Sequence, residues 1–91
     1  MLEYLKAQRV LGGKMQKTVK SFSKNKLQEI RVGISEFQGN DLVDIRVWTQ
    51  NRDTGEMVPT PKGVNINVSL FPDLKDAILA LEKELKDNNL I

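Results

Sequence analysis

The sequence predicts an α+β domain: four strands in succession, then one long helix, behind a basic N-terminal arm. Three observations carry this. Apolar and polar residues alternate over residues 27–68, and Gly, Asn and Pro punctuate that stretch. From Phe71 onward the apolar spacing changes to three and four.

Residues 1–26 carry seven bases (Lys6, Arg9, Lys14, Lys17, Lys20, Lys24, Lys26) against one acid, Glu3, a charge of +6. They contain Gly12 and Gly13 and little apolar periodicity, and read as a flexible basic arm. Residues 27–91 carry seven bases against eleven acids, −4, and read as the folded domain. A basic arm on a mildly acidic body points to a polyanionic partner, or to a tail that only solubilises.

Ile30, Val32 and Ile34 share one face of a first strand, with Arg31, Gly33, Ser35 and Phe37 on the other. In a second strand, over 42–50, Val43, Ile45 and Val47 oppose Asp44, Arg46 and Trp48. Gly39 and Asn40 suit a two-residue hairpin turn. That turn sets Ile34 against Ile45, Val32 against Val47 and Glu36 against Val43. On the other face it sets Arg31 against Trp48, Gly33 against Arg46, Ser35 against Asp44 and Phe37 against Leu42.

Residues 51–55 form a second turn, and 56–60 a short strand that Pro59 and Pro61 restrict to an edge or a bulge. Lys62 and Gly63 read as another turn, followed by a fourth strand containing Val64, Ile66 and Val68. Phe71, Leu74, Ile78, Leu81 and Leu85 then mark the apolar stripe of a helix. Asp73 and Asp76 near its start and Lys83 and Lys86 near its end complement the dipole. Asn67 or Ser69 could cap it, and Pro72 suits the first turn.

With 91 residues, no cysteine and no histidine, the chain has no disulfide, thiolate chemistry or usual zinc site. A domain this small buries only about 60% of the surface its unfolded chain exposes. Self-association is the remaining source of buried area. No stretch could span a bilayer and the first residues lack a signal-peptide pattern, so an intracellular protein is expected.

No nucleophile–base pair, Walker sequence or glycine fingerprint is present, and no enzymatic activity, catalytic residue, metal or cofactor is expected. Asp41, Asp44 and Asp53 could hold magnesium in principle, but Asp41 and Asp53 fall in turns, and Asp44 can pair with Ser35 or a nearby arginine. The informative feature is the hairpin's polar face, where Arg31, Arg46, Trp48 and Phe37 lie on one side while the other is aliphatic. Rings stack on bases of any sequence and guanidinium groups neutralise phosphates or stack themselves. The competing reading is that the rings cover a second layer or a dimer interface and that Arg31 simply shields Trp48. Lys62 offers a phosphate contact and Gly63 close backbone approach, or together they form a plain turn.

Several short motifs recur in an order and spacing that resembles the positive cofactor four family of transcriptional coactivators. They are Phe37, Gln38 and Gly39; Val43, Asp44, Ile45 and Arg46; Gly55, Glu56 and Met57 with Pro59; Lys62 and Gly63; and Leu74 and Lys75 with Ile78. The likeness runs over residues 29–78 and suits a bacterial or phage-type member. It implies a curved four-stranded antiparallel sheet followed by one C-terminal helix, as a homodimer. It also implies single-stranded DNA, or melted duplex, running over the sheets. By position, Phe37, Arg46, Lys62 and Gly63 match DNA-contact positions of the family, and Trp48 falls at an aromatic position. The neighbouring family Trp is Thr49 here, and Gln38 and Asn40 stand where the eukaryotic member is basic. Arg31 or the arm could replace part of that charge.

The resulting expectation is sequence-tolerant binding of single-stranded DNA by a homodimer, through Trp48, Phe37, Arg46, Arg31, Lys62, Gly63, Gln38 and Asn40. The process served would be transcription regulation or DNA replication, recombination or repair, alongside that machinery. The setting would be cytoplasm or nucleoid in a bacterium or phage, and the nucleus in a eukaryote. A protein-interaction adaptor, or an RNA-binding regulator, could use the same face.

Overall fold

A computed structural model describes residues 16–91. Four strands, β1 (Gln16–Ser23), β2 (Gln28–Phe37), β3 (Asn40–Gln50) and β4 (Met57–Asn67), form one open sheet in the order β1-β2-β3-β4, antiparallel throughout. A 3₁₀ turn, Val68–Leu70, leads directly into the helix α1 (Phe71–Asp87). The predicted class, a four-stranded antiparallel sheet followed by one C-terminal helix, is therefore correct.

Three sequence expectations change in detail. Residues 16–23, assigned above to the arm, form β1, while residues 1–15 of that arm lie outside the described residues. β1 escaped notice because it is a polar edge strand with lysines at positions 17 and 20, a composition that protects an edge from further pairing but leaves no apolar alternation.

The β2–β3 turn is Gln38 and Gly39, both at positive φ (52° and 81°), with Phe37 paired to Asn40. Ile34 therefore faces Val43, not Ile45, and Arg31 faces Arg46, not Trp48. The slip is two residues, so every side chain keeps its face. Valines and isoleucines recur every second residue, so both registers pair apolar with apolar.

The two short strands expected at 56–60 and 64–68 are one strand, and Lys62 and Gly63 lie inside it. The register between β3 and β4 shifts between Arg46 and Trp48, leaving Thr60, Pro61 and Lys62 as a bulge opposite Val47. There the Thr60 hydroxyl donates to the Val47 carbonyl (2.8 Å) and accepts from the Lys62 N–H (3.2 Å), standing in for ladder bonds. β4 is an edge strand, which is where prolines at 59 and 61 are tolerated.

Asn67 accepts from the Ser69 N–H (2.9 Å) and caps the 3₁₀ turn, and Pro72 lies in the first turn of α1. The helix does not fold back on its own sheet. The helix α1 carries no buried residue. The radius of gyration is 15.4 Å, against about 11–12 Å for a compact chain of this length. Among the described residues no apolar side chain is buried; Val64, Ile78, Leu79 and Leu81 are each about half exposed.

Candidate nucleic-acid interface

Strand alternation divides the sheet into two faces. Ile30, Val32, Ile34, Val43, Ile45, Val47, Val64 and Ile66 line one. The other carries Glu29, Arg31, Gly33, Asp44, Arg46, Trp48 and Gly63.

Arg46 is fixed at the centre of this second face. Its Nε and Nη2 donate to Asp44 Oδ1 (3.3 and 3.0 Å) and its Nη1 donates to the Thr60 carbonyl (2.9 Å). Asp44 is the one buried polar residue among those described, so the ion pair is largely shielded from water. A guanidinium has five N–H donors, and three such bonds leave two for a ligand. Gly63 sits directly opposite Arg46. A Cβ there would lie 2.5 Å from the Ile45 carbonyl oxygen and 2.8 Å from the Arg46 Cα, so only glycine lets β4 close on β3 at this point.

Trp48 lies one row further along. The Arg31 guanidinium carbon stands 4.0 Å from its ring centroid, and Arg31 Nε donates to Glu29 Oε1 at 2.6 Å. Arg31 thus shields one face of Trp48, a possibility open from the sequence, but from a diagonal position: the residue opposite Trp48 is Glu29.

Arg31 and Arg46 are direct cross-strand partners, an arrangement that is unfavourable for like charges. Each is offset by an acid two residues earlier on its own strand, Glu29 for Arg31 and Asp44 for Arg46. Sequence reasoning missed Glu29 and Thr60 as organising residues. The acid-x-Arg spacing on both strands was the available signal for Glu29; nothing local announced Thr60, because its role depends on the bulge.

The structure brings Arg31, Arg46, Trp48 and Gly63 together, with Lys62 exposed in the adjoining bulge. Phe37, Gln38 and Asn40 sit at the hairpin tip, eight residues along β2 from the Trp48 row, or about 26 Å. The two aromatic rings therefore mark opposite ends of the face. No group of three or more acids among the described residues is placed to hold a metal ion, so Asp41, Asp44 and Asp53 do not converge. No helix among them is long and apolar enough to cross a membrane.

The model of the family Transcriptional Coactivator p15 (PC4) matches residues 24–77, more than half of the chain. The chain belongs to the PC4 family. The resemblance read from the spaced motifs is thereby borne out, and the match begins in the β1–β2 turn and ends within α1. A PC4 homologue from Burkholderia pseudomallei is 30% identical, with a TM-score of 0.68 over 76% of this chain and 92% of its own in one crystal form. A second crystal form gives 0.67 over 74% and 97%. A bacteriophage T5 homologue of PC4 shares the fold at 21% identity, with a TM-score of 0.56 over 85% of this chain and 82% of its own. A Caenorhabditis elegans protein assigned as an RNA polymerase II transcriptional coactivator is 33% identical over 51 residues, 56% of this chain. The match spans 41% of that relative's length.

Proposed function

We propose that this PC4-family chain binds single-stranded DNA, or melted duplex, without sequence preference, as a homodimer and without catalysing a reaction. The observation that carries the reading is the cluster of Arg31, Arg46, Trp48 and Gly63 on one sheet face. It offers a ring for stacking and guanidinium donors for phosphates, with Gly63 letting β4 close on β3 beside them. Dimerisation is supported by the exposed aliphatic sheet face and helix stripe, which a single chain leaves without a core.

The process served is transcription or DNA replication, recombination or repair, inside the cell wherever strands separate. The relatives support both ends of that range: one is assigned as a transcriptional coactivator, and the phage homologue is implicated in recombination-dependent DNA replication. Fluorescence anisotropy with labelled oligothymidine, an RNA of matched length and a matched duplex tests the reading. Tightest binding to the DNA single strand, weakened in Trp48→Ala and Arg46→Ala, is the expected result. Preference for the RNA would make the chain an RNA-binding regulator, and no binding to any of the three would favour a protein adaptor.

A further inference from the structure

At the end of the sheet beyond Trp48 lies a groove of about 440 Å³, lined by Leu27, Glu29, Gln50 and Met57 of the Trp48 face and also by Phe22 and Gln28, in the size range of sites for small organic ligands (roughly 300–1,000 Å³). Its floor is one further cross-strand row. The Leu27 carbonyl accepts from the Gln50 N–H (3.0 Å), and Gln50 pairs with Met57. By alternation these three share the face of Glu29, Trp48 and Pro59. Leu27 is about half exposed and Met57 is partly buried, so the floor is apolar on either side of one amide.

The rim is held in place before any ligand arrives. In the β1–β2 turn the Ser23 hydroxyl donates to the Asn25 carbonyl (3.1 Å), Asn25 Oδ1 accepts from the Leu27 N–H (3.0 Å), and Asn25 Nδ2 donates to Gln28 Oε1 (2.9 Å). On the opposite side Gln50 Nε2 donates to the Gly55 carbonyl (3.1 Å). That bond fixes the amide and leaves its Oε1 and second N–H for a ligand. Lys26 lines the groove and Lys24 is exposed in the same turn, which makes this rim basic. Glu29, the acid that also borders it, is already bonded to Arg31.

We infer that the row of Leu27, Gln50 and Met57 is a nucleobase subsite that takes the nucleotide next to the one stacked on Trp48. This rests on the single-strand reading above. Its floor lies one two-residue step, about 6.6–6.8 Å, from the Trp48 row, within reach of an adjacent nucleotide of the same chain. The apolar side chains of Leu27 and Met57 suit a base, the Gln50 amide meets a base edge, and Lys26 meets the phosphate. A peptide would need the basic rim matched by acids, whereas a nucleic acid strand brings its charge with every nucleotide.

The test is a ladder of oligothymidines of increasing length, titrated against the wild type, Leu27→Ala/Met57→Ala, Gln50→Ala and Lys26→Ala. The variants should match the wild type on the shortest oligomers that engage Trp48. On longer ones they should fall behind, by fivefold or more for the double variant, and the length at which affinity stops rising should shorten. Affinities that superimpose at every length, or a loss equal at every length, would overturn the subsite. Should the double variant fail to fold, the exposed Gln50→Ala and Lys26→Ala decide by the same criterion. A Trp48→Ala variant run on the same ladder separates the two ideas. If it binds like the wild type throughout, the stacking reading has failed; if only the groove variants do, the subsite alone has.

Discussion

Each arginine on the polar face is already partnered, and the partners differ in consequence. Glu29 and Arg31 keep 29% and 26% of their side-chain surface exposed, so solvent screens that pair and its contribution to stability is about 0–1 kcal/mol. Its larger effect is on binding, since Glu29 competes with any phosphate for Arg31. Glu29→Gln should therefore tighten oligonucleotide binding severalfold at low salt, with the gain shrinking as salt rises, while the melting temperature changes little. Gly63 is the opposite case, a residue whose value is structural. Gly63→Ala should cost about 1–3 kcal/mol in denaturant unfolding, because the added carbon meets backbone rather than a mobile side chain. That Arg31, Arg46 and Trp48 share a face was legible from parity alone. The pairs with Glu29 and Asp44 follow an acid-x-Arg spacing within each strand, whereas the diagonal approach of Arg31 to the ring depended on a register that parity does not fix.

At the scale of elements, β4 departs most from its appearance in sequence. Two prolines and a Lys-Gly pair read as breaks, yet the strand runs from Met57 to Asn67 because the Thr60 hydroxyl bridges Val47 and Lys62. Thr60→Val keeps the shape and removes both bonds, and should destabilise the fold by about 1–2 kcal/mol in a thermal or denaturant melt. Because the same bulge presents Lys62 beside Gly63, oligonucleotide affinity should fall with it. β1 was hidden for a different reason. Its stability comes from main-chain pairing with β2, which leaves no trace in side-chain pattern. The helix was the most legible element, since five large apolar residues at spacings of three and four admit no other reading. What it packs against was not legible, because amphipathicity states that a face is covered and not by what.

At the scale of the whole molecule, two apolar surfaces stand open in one chain, the aliphatic sheet face and the stripe of α1. A homodimer that joins them has stability linked to concentration. The melting temperature should rise with protein concentration, and Leu81→Asp should give a monomer with a lower, concentration-independent melt; sedimentation equilibrium reports the mass directly. The polar faces of such a dimer remain available to a single strand, which on the proposed reading they hold by stacking and charge together. Titration with oligothymidine while following Trp48 fluorescence, at two salt concentrations, tests that reading most directly. Trp48 is the sole tryptophan, so the signal has one source. Binding should quench the fluorescence, with an affinity that falls with salt at a log–log slope of about −0.7 per phosphate neutralised. Binding that leaves Trp48 fluorescence unchanged, or that is insensitive to salt, would contradict that reading.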